Sequence, residues 1–279
     1  MNPTGQLYVI ATPIGNLADI SQRAIEILRQ VDFIAAEDTR HSQHLLKHLA
    51  INKPLLSYHE HNEAKTTEKI LSLLHDGKSL GLISDAGTPL ISDPGHTLIE
   101  QAHQEGIKVT PIPGCCAAIT ALSASGFAAS QFTFVGFLPA KSGQRQASLH
   151  KLNDLQGELI FYEAPHRIVE TLADMRHVFG DTRKICFARE LTKHFETIRV
   201  DTLETIHQWV SQDSNQQKGE IVMIIEAAPP VERQLSIEHE KLLRLLLSEL
   251  HTKTAARIVS EVSGISKNSL YEFALSIKK

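Results

Sequence analysis

Between residues 7 and 112 the chain alternates short β-branched or apolar runs with longer amphipathic stretches, and each strand-to-strand connection is long enough to hold a helix. Parallel strands need such crossovers, whereas antiparallel neighbours can close with a two-residue turn. The spacing therefore predicts a mostly parallel first sheet. Its strands are expected at Leu7–Thr12, Asp32–Ala36, Leu55–Tyr58, Ser79–Ser84 and Lys108–Ile112. A helix over Ile20–Gln30 follows from apolar Ile20, Ala24, Ile27, Leu28 and Val31 at helical spacing, and further helices are expected near 63–76 and 95–105.

From Phe132 the texture changes. Strands are expected at Phe132–Phe137, Glu158–Tyr162, Lys184–Ala188, Thr197–Val200 and Glu220–Glu226, and the shorter later spacings favour a mixed or antiparallel second sheet. Beyond the Pro229–Pro230 breaker, a Leu-rich amphipathic segment at 237–250 precedes a helix-turn-helix pattern over 254–277, with Ser266 as an N-cap. At 279 residues the chain is about 1.9 times a typical domain length, so more than one domain is expected. The expected divisions are 1–118, 119–231 and a helical extension at 232–279.

The balance of 42% hydrophobic and 22% charged residues excludes disordered, collagen-like and disulfide-scaffold chains. No apolar run exceeds five residues, too short to cross a bilayer, and no Lys or Arg precedes Arg23, unlike a secretory signal. Cys115, Cys116 and Cys186 are an odd number with two adjacent, which suits a reducing compartment. A cytoplasmic protein is expected. Lys and Arg number 28 against 32 Asp and Glu, leaving −4 and no global basic signature of nucleic-acid binding.

Four Gly- or Pro-bearing loops fall just after expected strands, where open α/β sheets place ligands. They are ATPIGN (11–16), SDAGTPLISDPG (84–95), PIPGCCAA (111–118) and YEAPHR (162–167). Neither GxxxxGK[ST] nor GxGxxG occurs, so a P-loop nucleotide site and a conventional dinucleotide site are disfavoured. Gly87 and Gly114 are expected to let backbone approach a ligand closely, and Asp85 and Asp93 suit a ligand with hydroxyls, an amino group or a cationic centre. The same glycines and prolines could simply make turns.

These loops, taken in order with AEDTR (36–40), FVGFLPAK (134–141) and ARELTK (188–193), resemble the ribosomal-RNA branch of the tetrapyrrole-methylase superfamily, the small-subunit methyltransferase I group, over about residues 6–226. The resemblance implies a two-domain α/β class III methyltransferase fold with a C-terminal helical extension. It implies S-adenosyl-L-methionine held in a cleft between the domains. By motif position, Pro13, Asp85, Ala86, Gly87, Cys116, Ala117, Tyr162 and Ala188 are the cofactor candidates. The first loop departs from the superfamily's common GxGPGDP form, which counts against a porphyrin-precursor acceptor. The implied acceptor is the ribose 2′-hydroxyl of a cytidine in 16S ribosomal RNA (position 1402 in that RNA's numbering), within the 30S subunit, with the enzyme a homodimer.

The remaining candidates carry two readings each. Asp38, Glu60, His59 and Glu190 are candidate bases, with Arg40 and Lys193 candidate stabilisers of an alkoxide. Glu37, Asp38 and Arg40 could equally cap the next helix, expected at His41–Leu49. Two histidines in SYHEHN (57–62) lack a third ligand at recognisable spacing, so no metal is expected. Cys115–Cys116 reads as small-residue packing. Lys141, Arg145 and Lys151 form an acid-free stretch, and Lys253, Arg257 and Lys267 bracket the helix-turn-helix in a tail of net +2, while residues 1–234 carry −6. Both trios are candidate RNA contacts, since phosphate binding needs local rather than global positive charge. The tail could also dimerise or act as a lid. The rivals are a same-fold methyltransferase with a tetrapyrrole or other small acceptor, a metal-dependent hydrolase, and a non-catalytic RNA-binding assembly factor.

Overall fold

The computed structural model describes residues 5–128, 130–228 and 235–277. Five strands form the first sheet: β1 (Gln6–Ile10), β2 (Phe33–Ala36), β3 (Leu55–Ser57), β4 (Leu80–Ile83) and β5 (Lys108–Ile112). All pair in parallel, in the order β3-β2-β4-β1-β5. Helices Gln22–Gln30 and Thr39–His48 bury Ala24, Leu28 and Leu46 on one face, and helices Glu63–His75 and His96–Gln104 bury Ile70, Leu74 and Leu98 on the other. With both faces covered, β4 is apolar at every side chain it carries, which is why these strands read as short apolar runs.

The second sheet comprises β6 (Phe132–Phe137), β7 (Glu158–Glu163), β8 (Lys184–Arg189), β9 (Thr197–Thr202) and β10 (Ile221–Ile225), ordered β6-β7-β10-β8-β9. Only β6 and β7 are parallel; the other three pairings are antiparallel. One face buries Leu149, Leu172, Met175, Ile206 and Val210 from three helices. The opposite face, through Ile160, Cys186, Val222 and Ile224, packs on Ala118 and Ala121 of the helix Ala117–Ala124 and on Ile14. That helix therefore carries the first sheet's chain onto the second sheet, and the expected division at 118/119 falls inside it.

Residues up to 227 form one compact unit, and the chain from Ala228 a second. The second unit contains helices Ile237–Glu249, Thr252–Ser263 and Lys267–Ile277 around Leu243, Ala256, Val259 and Leu270. Gly264, at φ 69°, makes the left-handed turn between the last two helices, and Ser269 N–H donates to Ser266 Oγ at 3.4 Å. The expected division at 231/232 and the Pro229–Pro230 breaker lie outside the described residues. Among the described residues no helix is long and apolar enough to cross a membrane.

One expectation of the basic stretch is corrected here. Arg145 lies on the helix Ser142–Leu152 with its side chain 1% exposed, and its Nε donates to Asp174 at 2.6 Å and its Nη1 to the Ala140 carbonyl at 3.1 Å. Asp174 also accepts from Ser142 and Gln146. The stretch is free of acids only along the sequence; helix Ile168–Phe179 supplies the counter-charge. Arg145 is thus a packing residue and no phosphate contact, while Lys141 and Lys151 remain exposed. Removing one partner of a buried pair strands the other. Arg145→Ala is expected to lower the unfolding free energy by about 3–5 kcal/mol in urea titrations, whereas Lys141→Ala and Lys151→Ala should each stay within about 0.5 kcal/mol of wild type.

Candidate functional site

Strands β1 and β4 are neighbours, yet their onward connections run toward opposite edges of the sheet, to β2 and to β5. Right-handed crossovers then place the following helices on opposite faces and open a crevice at the strand ends. Two reciprocal backbone bonds span it: Thr12 N–H donates to Gly87 O at 2.8 Å, and Gly87 N–H to Thr12 O at 3.1 Å. The third loop is tied in as well, since Thr88 Oγ1 donates to the Cys115 carbonyl at 2.9 Å. A Cβ on Gly114 would lie 2.9 Å from that of Ala11. The glycines therefore serve close approach between loops. Gly87 has spent both backbone groups on Thr12, which corrects the expectation that they face a ligand.

Below these loops lies a cavity of about 340 Å3. Ile14, Ala86, Gly87 and Thr88 line it from the first two loops, Cys116 and Ala117 from the third. Phe137, Tyr162, Ala164, Ile221 and Val222 come from the second sheet and its strand ends. Tyr162 accepts from Ala118 N–H at 3.1 Å, at the start of the helix Ala117–Ala124, and Phe134 and Phe137 meet its ring edgewise. Burial pushes the Tyr162 phenol up, helped by the neighbouring Cys116, so it stays protonated. Beside it, the buried Glu163 carboxylate accepts from Arg167 Nε at 2.9 Å, Ala164 N–H at 2.7 Å and Thr171 Oγ1 at 2.6 Å, and so pins the YEAPHR loop.

Among the described residues no Lys, Arg or His lines this cavity, whereas Asp93, Glu163 and Glu220 do. Asp93 is half-buried; burial and then the Glu37 carboxylate push its pKa up to about 6, against a bond from Ser84. Burial also raises Glu37, helped by Asp85, and Glu60 and His59 act on Glu37 from the loop after β3. These groups converge because β2, β3 and β4 are neighbours and all end on the same side. Among the described residues no group of three His, Cys, Asp or Glu side chains is placed to hold a metal ion.

Of the expected cofactor residues, Ala86, Gly87, Cys116, Ala117 and Tyr162 line the cavity. Three do not. Pro13 is buried under the first loop, the Asp85 carboxylate accepts from Asp38 N–H at 3.0 Å, and Ala188 is fully buried on β8 opposite Val222. Asp38 caps the helix Thr39–His48, accepting from Arg40 N–H at 2.8 Å; that bond holds its carboxyl below the ordinary range, which makes it a poor base. The Arg40 side chain is 89% exposed and pairs with Asp38. His59 N–H donates to Asn62 Oδ1 at 2.9 Å, and Glu60 is exposed in the same turn.

Glu190 and Lys193 are corrected more firmly. Lys193 Nζ donates to Glu190 at 2.8 Å and to Glu220 at 3.0 Å, and Glu190 also accepts from Glu220 N–H. Burial opposes the Glu190 charge, but these bonds outweigh it and lower its pKa. Neither residue lines the cavity; together they tie β8 to β10. Sequence reasoning singled out Asp93 as suiting the ligand, and it lines the cavity, but did not count it among the candidate bases. It also missed Phe137, Gly219 and Val222, which face the cavity only through strand order.

A family model described as Tetrapyrrole (Corrin/Porphyrin) Methylases matches residues 6–207, and one described as RsmI C-terminal HTH domain matches residues 233–278. Proteins called ribosomal RNA small subunit methyltransferase I are 52% identical over 273 residues in Pseudomonas aeruginosa and 50% over 275 residues in Haemophilus influenzae. The first alignment covers 97% of both chains, and the second 98% of this chain and 97% of the relative. The chain belongs to this family. Its fold is the tetrapyrrole-methylase fold with a C-terminal helical extension. Crystal structures of diphthine synthase (TM-score 0.60, 15% identity, 80% of this chain and 90% of that one) and of a Thermus thermophilus uroporphyrin-III C-methyltransferase complexed with S-adenyl homocysteine (TM-score 0.57, 14% identity, 80% and 97%) share it.

Gly87 sits at φ +83°, where its Cβ would meet Ile14 at 3.4 Å and Cys115 O at 3.7 Å. Left-handed backbone costs an L-residue about 1–2 kcal/mol. Gly87→Ala is therefore expected to lose about that much unfolding free energy in urea. Gly106→Ala, at φ +69° with open space around it, measures the backbone part alone.

Proposed function

We propose that this protein transfers a methyl group from S-adenosyl-L-methionine to the ribose 2′-hydroxyl of a cytidine in small-subunit ribosomal RNA. The supporting observation is a cavity stitched together from the loop ends of both sheets, walled by apolar side chains and Asp93, with no Lys, Arg or His among the described residues lining it. A sulfonium cofactor with an amino group suits carboxylates and apolar walls, and about 340 Å3 lies within the ordinary ligand-pocket range. Ala86, Gly87, Cys116, Ala117 and Tyr162 would hold it. When bound, it would supply a methyl group already activated on sulfur, for transfer to the acceptor oxygen with the neutral thioether as leaving group.

The chain's own part is then alignment and a proton. Asp93 faces the cavity and has no cationic partner, and its raised pKa makes it a stronger base than an ordinary aspartate. It accepts the hydroxyl proton as the oxygen attacks. Glu37 keeps Asp93 basic by repulsion, and Tyr162 donates its phenolic proton into the same space. Arg40, whose exposed guanidinium can leave Asp38 for a phosphate, positions the RNA together with Lys141 and Lys151 and the tail cations Lys253, Arg257 and Lys267. The substrate is 16S RNA in the 30S subunit, and the protein acts in the cytoplasm as a homodimer.

Calorimetry with S-adenosyl-L-methionine, followed by transfer of labelled methyl to 30S subunits lacking the modification, tests this directly. Cofactor binding without transfer to the RNA would overturn it. The base assignment has its own signature. A carboxylate that must be charged works above its pKa and fails below it, so kcat/KM should fall tenfold per pH unit below about pH 6. Asp93→Asn should reduce kcat by a factor on the order of 100 and abolish that acid limb. For the tail, Lys253→Ala, Arg257→Ala and Lys267→Ala together should flatten the salt dependence of RNA binding by about one log–log unit per lost phosphate contact. Arg257 already pairs with Glu261 at 2.8 Å, so its share should be the smallest.

A further inference from the structure

A second, polar cavity of about 520 Å3 lies beside the first, and Gly219 lines both. We infer that it is a second nucleotide subsite, in which an unpaired base next to the acceptor nucleotide stacks on Phe195. This inference rests on the RNA-methylation reading and adds to it where the neighbouring nucleotide goes.

Phe195 is the first observation. Its side chain is 68% exposed, yet its backbone is held: its carbonyl accepts from Arg189 Nη2 at 3.1 Å, and the loop before it is braced by Thr192 N–H donating to Glu196 at 2.6 Å. Glu190 and Thr192 in that loop sit at φ +52° and +67°. Such strain persists only where the surroundings impose it, and it clusters at functional sites. A rigidly mounted aromatic ring facing solvent is a poor hydrophobic choice and a good stacking platform.

Charge is the second observation. Arg189 is 7% exposed, and its guanidinium donates to four neutral acceptors, on Gln216, Lys218, Phe195 and Thr197. Among the described residues no carboxylate lies within ion-pair distance of it. Two acids share the cavity wall and feel the Arg189 charge: Asp213, which accepts from Asn215 N–H and Gln216, and Glu190, which accepts from Lys193 and Glu220 N–H. Lys218 stands exposed at the rim, on Asn215 Oδ1. The cavity therefore sets the exposed Lys218 ammonium beside an exposed ring, the pairing that a nucleotide's phosphate and base require, while Arg189 is balanced by Glu190 and Asp213.

Continuity is the third. Gly219, at φ +80°, cannot carry a side chain, because a Cβ there would collide with Glu190. Gly219 thus borders both cavities with backbone alone. A ribose presenting its 2′-hydroxyl to the first cavity must be pulled out of the stack, so the next base on the strand needs a new partner.

The test uses the full-length protein with 30S subunits lacking the modification. Phe195→Ala is expected to raise KM for the subunits by about 5- to 150-fold, the range that base–aromatic stacking covers. Cofactor affinity and kcat should stay unchanged. Phe195→Trp should keep KM near wild type, and its added fluorescence should be quenched by the subunits. If wild type methylates the subunits and Phe195→Ala does so with unchanged KM, the subsite is refuted while the methylation reading stands. If wild type does not methylate them, the reading itself fails. Equal KM defects in the Ala and Trp variants, or a changed sedimentation coefficient for Phe195→Ala showing that the ring covers a second copy, would also overturn the subsite.

Discussion

The Thr12–Gly87 backbone pair is the constraint on which the site depends. The loops that follow β1 and β4 leave the sheet toward opposite faces, and without a tie they would splay. Two N–H···O bonds of 2.8 and 3.1 Å join them at a glycine whose φ of +83° disfavours any side chain. The third loop then packs on this pair through Gly114 against Ala11 and through Thr88 on Cys115. Ile14 and Ala117 are thereby presented to the second sheet as a surface, and the cavity is what remains between them.

Much of this was legible in the amino acids because the first sheet is buried on both faces. Continuous apolar runs such as LGLI and the helix-length gaps between them are local signals, and they gave parallel pairing directly. The second sheet was legible as strands, and its mixed character followed from spacing, but its order was not. That β10 lies between β7 and β8 is recorded in no local pattern, so Gly219, Ile221 and Val222 were invisible as site residues. Arg145 failed for the same reason: its counter-ion lies 29 residues away on another helix. Glu190 and Lys193 failed because Glu220, their third partner, arrives by that same strand insertion.

Electrostatics divides the compact body into two kinds of cavity. The first holds Asp93, which burial and the nearby Glu37 carboxylate push up to about 6. The second is floored by an arginine that only neutral acceptors hold. A net charge of −4 is thus uninformative about either, because what a ligand meets is the local field focused by low-dielectric walls. On the proposed reading, the cofactor and the neighbouring nucleotide lie on opposite sides of a single glycine.

The strand order of the second sheet also has a bearing on how the protein is made. A chain leaves the ribosome from its N-terminus, so β6 to β9 emerge before β10, the strand that must lie at their centre. Until residues 221–225 are available, β7 and β8 have no common neighbour and the sheet exists as two separate ribbons with open inner edges. Unpaired edges of this kind template wrong pairings. The last strand of the body closes both edges in one step and, by delivering Gly219 and Val222, completes the cavity wall in the same event. Binding competence is therefore withheld until the body's own synthesis is finished.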